Sequence, residues 1–571
     1  MNVGPSSRPP TLPQEDSPLE RIARDLELIA ARFIYSYADP RTTGLPMPLV
    51  AGRAAYLEIP ANIQWINGFL WNNAANNAND AANVRLTGQS PWTLGSYAEV
   101  FATVKPPPIL ESWKDDSSFC VQRLAGLNPL TLARVTADGS AGAEWASLQR
   151  RAPFGDEVLS RWLGSDATFA RAIAEKRLYV ADYALLGNIT APASAPAPWQ
   201  QNRQLLAPLA LFIRPDDFAG LEPVGIAIDP QTLSSPTDGN GRWEMAKLFV
   251  QSADYNVAQV LNHLCFTHLI EEAFCLATVR RLAWCHPIHR LLAHHFGQLL
   301  IINELGVKLL LSTDGAMQKI LQGALAGSLD LMHLAFKNWS FADLDFEASL
   351  SSRGVDDAAA LPYYPYRDDG RLIWNLLGGY LSDYVDIYYA SDAEVRADPE
   401  LQGWAQELAG LLDEGQGRAA GFPETIGSRE QLAIVLRRIV WTAGPQHAAV
   451  NYPQLDFASY VPNMTAATYQ PPVSQGPVSD AELLAMMAPR AQTGTQTTVS
   501  YVLAAWHYDQ LLNYNLCSAD ASQQLVTKTY GQLHGPVREA ILSRNRERRR
   551  TPGLIAYPHL QPENIPNATS V

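Results

Sequence analysis

From Trp243 to Leu310 apolar residues recur at helical spacing for well over forty residues, with a single proline in the stretch. Two histidines, His263 and His268, sit inside that pattern. Further helical stretches follow at 316–337, 371–389, 399–413, 428–442, 480–487 and 498–517. Turn chemistry separates them: PYYPYRDDG at 362–370, a proline-rich run at 470–477 and TPG at 551–553. Between Leu178 and Ile228 the texture changes to short apolar runs, LYVADYALL, PLALFI and PVGIAI, which predict a small antiparallel sheet. The Asn/Ala tract at 72–83 reads as a surface helix or loop. Near the N-terminus Leu19, Ile22, Leu26, Ile29 and Phe33 mark an amphipathic helix over 19–37. Packing of that stripe on the main body is its ordinary use; contact with a membrane surface is the sharper alternative. Residues 1–18, rich in Pro and Ser, predict a disordered tail. No repeat of fixed period appears. The prediction is one large, mainly α domain over 19–571, built around a long central helix, with a small sheet set into it.

Composition narrows the function classes. Apolar residues make up 47% of the 571 and charged residues 18%, enough to bury a large core. The net charge of -14 gives no electrostatic reason to seek nucleic acid. The densest basic run, RNRERRR at 544–550, reads as a solvated face. Five scattered cysteines with no CxxC pair predict reduced, buried thiols. The N-terminus shows no charged-then-apolar leader and no window has the length of a membrane span, which predicts a soluble, cytoplasmic protein.

The candidate chemistry begins with the spacing of His263 and His268. Five residues of regular α-helix turn through about 140°, so the rings would not share a face. For both to bind one metal the helix must widen locally into a π-turn, a feature that clusters at functional sites. Cys265, between them, is a further candidate ligand, weighed against its use as a small core residue. A second pair, His447 and Asn451 in PQHAAVNYPQ, is four apart and shares a helix face. Imidazole nitrogen with amide oxygen suits a first-row divalent metal. Gln259, one turn before His263, and Gln454, three after Asn451, are candidates to orient those ligands.

These segments resemble the lipoxygenase family. The H-x4-H pair followed by HPIHRLLAHH, together with WEMAKLFVQSAD, YRDDGRLIWN, YVDIYY, QHAAVNYPQ, YVPN and the terminal ENIPNATSV, fall in family order from about Leu178 onward. The resemblance implies metal ligands at His263, His268, His447 and Asn451, with the terminal carboxylate of Val571 as the fifth. It implies non-haem iron, with manganese the lesser alternative because the chain ends in Val rather than the usual Ile. A ferric hydroxide would take a hydrogen from the bis-allylic carbon of a polyunsaturated C18 or C20 fatty acid, and O2 would add to the radical to give a hydroperoxide. Gly306 matches a position where glycine accompanies R products, and Leu310 matches a leucine over the reactive carbon. Tyr255, Ile320 and Leu321 match positions that set pocket depth. The arginines that meet the substrate carboxylate in plant and animal members are replaced by Met464 and Leu305. The region before Leu178 carries too few alternating β patterns to supply the family's N-terminal β-sandwich domain, a resemblance to compact bacterial members that makes the 19–37 helix a candidate element for membrane or substrate access. The same site implies two alternatives: isomerisation of fatty-acid hydroperoxides to epoxyalcohols, and binding of fatty acid without catalysis.

Overall fold

The computed structural model describes residues 9–51, 54–61, 92–192, 202–239, 241–516 and 521–569. Helix α2 (Arg242–Val257) passes without a break into a π-segment, Ala258–Leu269, and on into α3 (Ile270–Arg281). Almost every residue of this run is buried, whichever way it faces. That explains why no polar stripe marks it in sequence. Its polar residues are instead paired inside: Asp254 with Arg123 at 2.9 Å, Tyr183 and Asn128, and Asn262 with Asn128 at 2.7 Å.

One six-stranded sheet packs beside this helix, in the order β2-β1-β3-β4-β5-β6. The strands are β1 (Ala133–Thr136), β2 (Ala143–Glu144), β3 (Leu178–Asp182), β4 (Leu209–Ile213), β5 (Glu222–Asp229) and β6 (Thr232–Ser234). All pairs are antiparallel except β1 with β2. Tyr179, Ala181, Ala210 and Phe212 face the main core. Leu178, Val180, Leu209 and Leu211 face a smaller cluster with Leu148 and Phe169. With both faces buried, these strands read as continuous apolar runs rather than as alternation.

Several predicted boundaries shift. PYYPYRDDG is not a turn throughout: Pro365 is the first residue of a 24-residue helix, α7 (Pro365–Tyr388). Proline is well placed there, because the first helical N–H has no partner in any case. The helix expected at 498–517 runs earlier, as α10 (Arg490–Ala504). The basic run lies on α11 (Arg538–Arg550), where Arg544 and Arg548 bind the buried carboxylate of Asp369 and Arg546 pairs with Glu539. The Asn/Ala tract at 72–83 lies outside the described residues.

Helix α1 (Pro18–Ile34) departs most from its ordinary reading. Its apolar stripe faces outward: Leu19 is 79% exposed, Leu26 62% and Phe33 88%, with Ile22 and Ile29 also exposed. The side that packs carries Arg24, whose guanidinium binds Asp16 at 2.8 Å and Glu400 at 3.2 Å. Residues 9–17 of the expected tail lie against the body, with Leu12 buried and Thr11 N–H donating to the Cys285 carbonyl.

Glu271, on α3, is fully buried with no hydrogen-bond partner for either carboxylate oxygen among the described residues. Burial pushes its carboxyl well above the ordinary value. A carboxyl whose pKa is raised by folding favours the unfolded chain as pH climbs past the unfolded value of about 4.3. Glu271→Met is therefore expected to stabilise the protein at pH 7 by about 1–3 kcal/mol. The gain should shrink towards pH 4 in urea titrations run at both pH values. A gain independent of pH would show that the carboxyl is not the cause.

Candidate metal centre and its tunnel

The π-segment decides where the histidines point. Bonding from i to i+5 widens the turn, so residues five apart return towards one face. His263 and His268 accordingly bring their Nε2 atoms to 3.2 Å. His447 comes from a second π-turn, Thr442–Gln446, which leads into the short helix α9 (His447–Asn451). Its Nε2 lies 3.1 Å from that of His268. All three rings are buried, which holds them neutral: the His268 pKa falls to about 4 and the other two are also lowered, by burial first and neighbouring imidazoles second.

The tautomers follow from the other ring nitrogens. His268 Nδ1 faces Asn303 Oδ1 at 3.2 Å, and His263 Nδ1 faces Gln259 Oε1 at 3.4 Å. Each carbonyl oxygen can only accept, so the proton sits on Nδ1 and the lone pair on Nε2. On His263 and His268 two lone pairs thus face each other with no proton between them, and His447, whose Nδ1 has no partner among the described residues, brings a third Nε2 beside them. A cation is what satisfies such a set. With metal–nitrogen bonds of about 2.0–2.1 Å, two nitrogens at right angles on one ion lie about 3 Å apart, the spacing seen here. The three histidines also form the cluster of metal-ligating type among the described residues. The donors fit a first-row transition ion.

Asn451 follows His447 by one turn and is fully buried. Gln454 Nε2 donates to its Oδ1 at 2.6 Å, and its Nδ2 donates to the Leu503 carbonyl. Val571 lies outside the described residues. The extended segment that leads to it is threaded into the core: Leu511 N–H donates to the Ile565 carbonyl at 2.7 Å, His295 Nδ1 to the Asn567 carbonyl, and Thr569 is fully buried. Cys265 is buried and apart from the histidine cluster.

Asn303 is a residue that sequence reasoning missed. Its Oδ1 orients His268, while its Nδ2 donates to the His268 carbonyl and to Glu272. Glu272 in turn accepts from Val50 N–H at 2.7 Å, tying the N-terminal arm to a metal-site ring. The available signal was an uncharged amide in the apolar run LLIINELGV.

A cavity of about 260 Å³ runs up to His263 and His268. Tyr255, Gln259, Leu305, Gly306, Leu310, Ile320 and Leu321 all line it. Met464 does not: it is fully buried elsewhere, and its carbonyl accepts from Gln496. The wall opposite comes from α10, through Thr498, Val499, Val502 and Leu503, which no motif had marked. No Lys or Arg is among the lining residues. A Cβ built on Gly306 would meet nothing within 4 Å, so the glycine opens onto free space.

Comparison with known proteins places these features. The family model described as Lipoxygenase matches residues 98–511. A linoleate 9/13-lipoxygenase of Pseudomonas aeruginosa is 36% identical over 511 residues, which is 86% of this chain and 72% of that protein. The human hydroperoxide isomerase ALOXE3 is 29% identical over 81% of this chain, which spans 63% of its length. A lipoxygenase solved in complex with arachidonate superposes with a TM-score of 0.89 at 26% identity, covering 99% of this chain and 84% of that one.

Proposed function

The chain belongs to the lipoxygenase family, and from that premise we propose that it inserts O2 into polyunsaturated fatty acids through an iron held by His263, His268 and His447. Convergence of three neutral imidazoles, two of which (His263 and His268) line an apolar tunnel, carries this reading. Asn451 and the terminal carboxylate of Val571 are proposed to complete the ligand set. A mostly imidazole set suits iron better than manganese, which prefers carboxylate and water. A bound iron would supply the one-electron oxidation and the proton acceptance that open a bis-allylic C–H bond.

The chain's own residues do the rest. Leu264, Leu305, Leu310, Ile320 and Leu321 exclude water and hold an acyl chain by contact alone. That fixes the reacting carbon beside His263 and His268, where positioning is worth most. The gap at Gly306 leaves one side of the acyl chain open to O2, and R stereochemistry follows in our reading. Oxygen uptake with linoleic and arachidonic acids tests the function. One O2 consumed per conjugated diene formed is expected. Isomerisation of added hydroperoxide to epoxyalcohol without oxygen uptake would overturn it; the human relative is named a hydroperoxide isomerase.

We further propose that α1 rests on a lipid surface. Five large apolar side chains on one face are left outward, and inserting each into lipid is worth about 1.5–3 kcal/mol. The tunnel is apolar, so its occupant and the lipid are of one chemical kind. Among the described residues no helix is long and apolar enough to cross a membrane, so contact would be peripheral. Leu26→Ser with Phe33→Ser should lower co-sedimentation with phosphatidylcholine vesicles at least about tenfold while turnover of dispersed fatty acid stays unchanged. Equal sedimentation of both proteins would remove α1 from this role.

A further inference from the structure

Glu272 is a buried carboxylate that no cation pairs with among the described residues. Its neighbour Glu271 is equally buried and has no hydrogen-bond partner on either oxygen among those residues, so nothing there favours its charge. Glu272 differs in having a donor on each oxygen: Val50 N–H on Oε1 and Asn303 Nδ2 on Oε2, both at 2.7 Å. A buried charge is costly unless other groups answer it, and two neutral donors lessen that cost without cancelling it. The Asn303 amide leads from this carboxylate to the His268 ring, so the charge stands two hydrogen bonds from the imidazole cluster.

Both partners of Glu272 are N–H donors, and a carboxylate offers an acceptor to each. Asn303 spends its second N–H on the His268 carbonyl and turns Oδ1 to His268 Nδ1 at 3.2 Å. The donor on the other oxygen is fixed from the N-terminal arm. Val50 sits in a short antiparallel ladder, with Ala38 N–H donating to the Leu49 carbonyl at 2.8 Å and Ala51 N–H to the Ser36 carbonyl at 2.7 Å. Helix α1 runs into that ladder, and Arg280, on α3, holds its last turn by donating to the carbonyls of Arg32 and Tyr35. We propose that Glu272 is a positioning residue of the metal centre: it fixes the Asn303 amide, and through it the His268 tautomer, and it makes the seat of the N-terminal arm one end of the same relay. This rests on the metal centre assigned above.

Glu272→Gln in the full-length protein tests it, above pH 7, because burial raises the wild-type carboxyl to about 7. An amide accepts from only one of two donors. The ladder holds Val50 in place, so the glutamine oxygen goes to Val50 and its NH2 turns to Asn303. The Asn303 amide then reverses in part of the molecules, and there His268 carries its proton on Nε2, the ligating atom. Affinity for ferrous iron, read anaerobically by competition with a colorimetric chelator, should fall about 10–100-fold. Val50→Pro, which removes the other donor from outside the histidine cluster, should lower it in the same direction. Glu271→Met is the control and should leave it unchanged. In metal-free protein, NMR of histidine labelled on its ring nitrogens should show His268 as the Nδ1–H form in the wild type and as a mixture in Glu272→Gln, a change that loosened packing alone would not give. Wild-type iron affinity in Glu272→Gln, an equal loss in Glu271→Met, or an unmixed His268 tautomer in the glutamine variant would each overturn the role of Glu272. Failure of the wild type itself to bind iron would sink the metal reading instead, and the tautomer would still decide this one.

Discussion

Gly444→Val is expected to strip the protein of metal and activity together, by about 10–100-fold, although Gly444 offers no ligand atom. Gly444 sits inside the π-turn that delivers His447. A Cβ there would stand 2.8 Å from the backbone oxygen of Pro566 and 3.3 Å from Leu511 Cδ1. The oxygen cannot simply yield. The next residue, Asn567, is pinned by its N–H and side-chain amide to Asp509, by its Oδ1 to Leu512 N–H and by its carbonyl to His295. Either the C-terminal segment or the π-turn must therefore move, and each carries part of the proposed ligand set. Gly444→Ala should fall in the same direction by less. Metal content and oxygen uptake, measured on the same purified samples, check this. A valine variant with wild-type values of both would mean that the close approach of tail and π-turn does not matter to the site.

Gly306→Ala is expected to shift the hydroperoxide from R towards S without loss of stability. The added methyl meets no atom within 4 Å, so it enters the tunnel unopposed. Replacing glycine within α4 (Leu299–Leu309) also favours the helix by about 1 kcal/mol. A methyl group in an apolar site discriminates by about 1–3 kcal/mol, which corresponds to a change of about tenfold or more in the R/S ratio. Chiral chromatography of the products reads it. An unchanged ratio alongside a raised melting temperature would show that the methyl fits but that oxygen does not pass this position.

The π-turn was legible because a spacing of five conflicts with an α-helix, and the conflict has few physical solutions. The sheet was legible because a run of four to six β-type residues bounded by turn signals is hard to place otherwise. The N-terminal helix was legible as a helix, but amphipathic spacing says only that two faces differ. The direction they face was set by Arg24, which reaches carboxylates 8 and 376 residues away in sequence. Asn303 meets His268 from 35 residues away and the α10 wall arrives from further still, so neither the lone amide in LLIINELGV nor a helical pattern near 498 shows that it belongs to the site.

Metal analysis of the full-length protein beside His268→Ala tests the central claim most directly. About one iron per chain is predicted for the wild type. Iron and oxygen uptake should fall together in the variant, because His268 Nε2 lies within 3.2 Å of both other imidazole nitrogens. Wild-type oxygen uptake from metal-free protein, or iron retained in full without His268, would contradict the account.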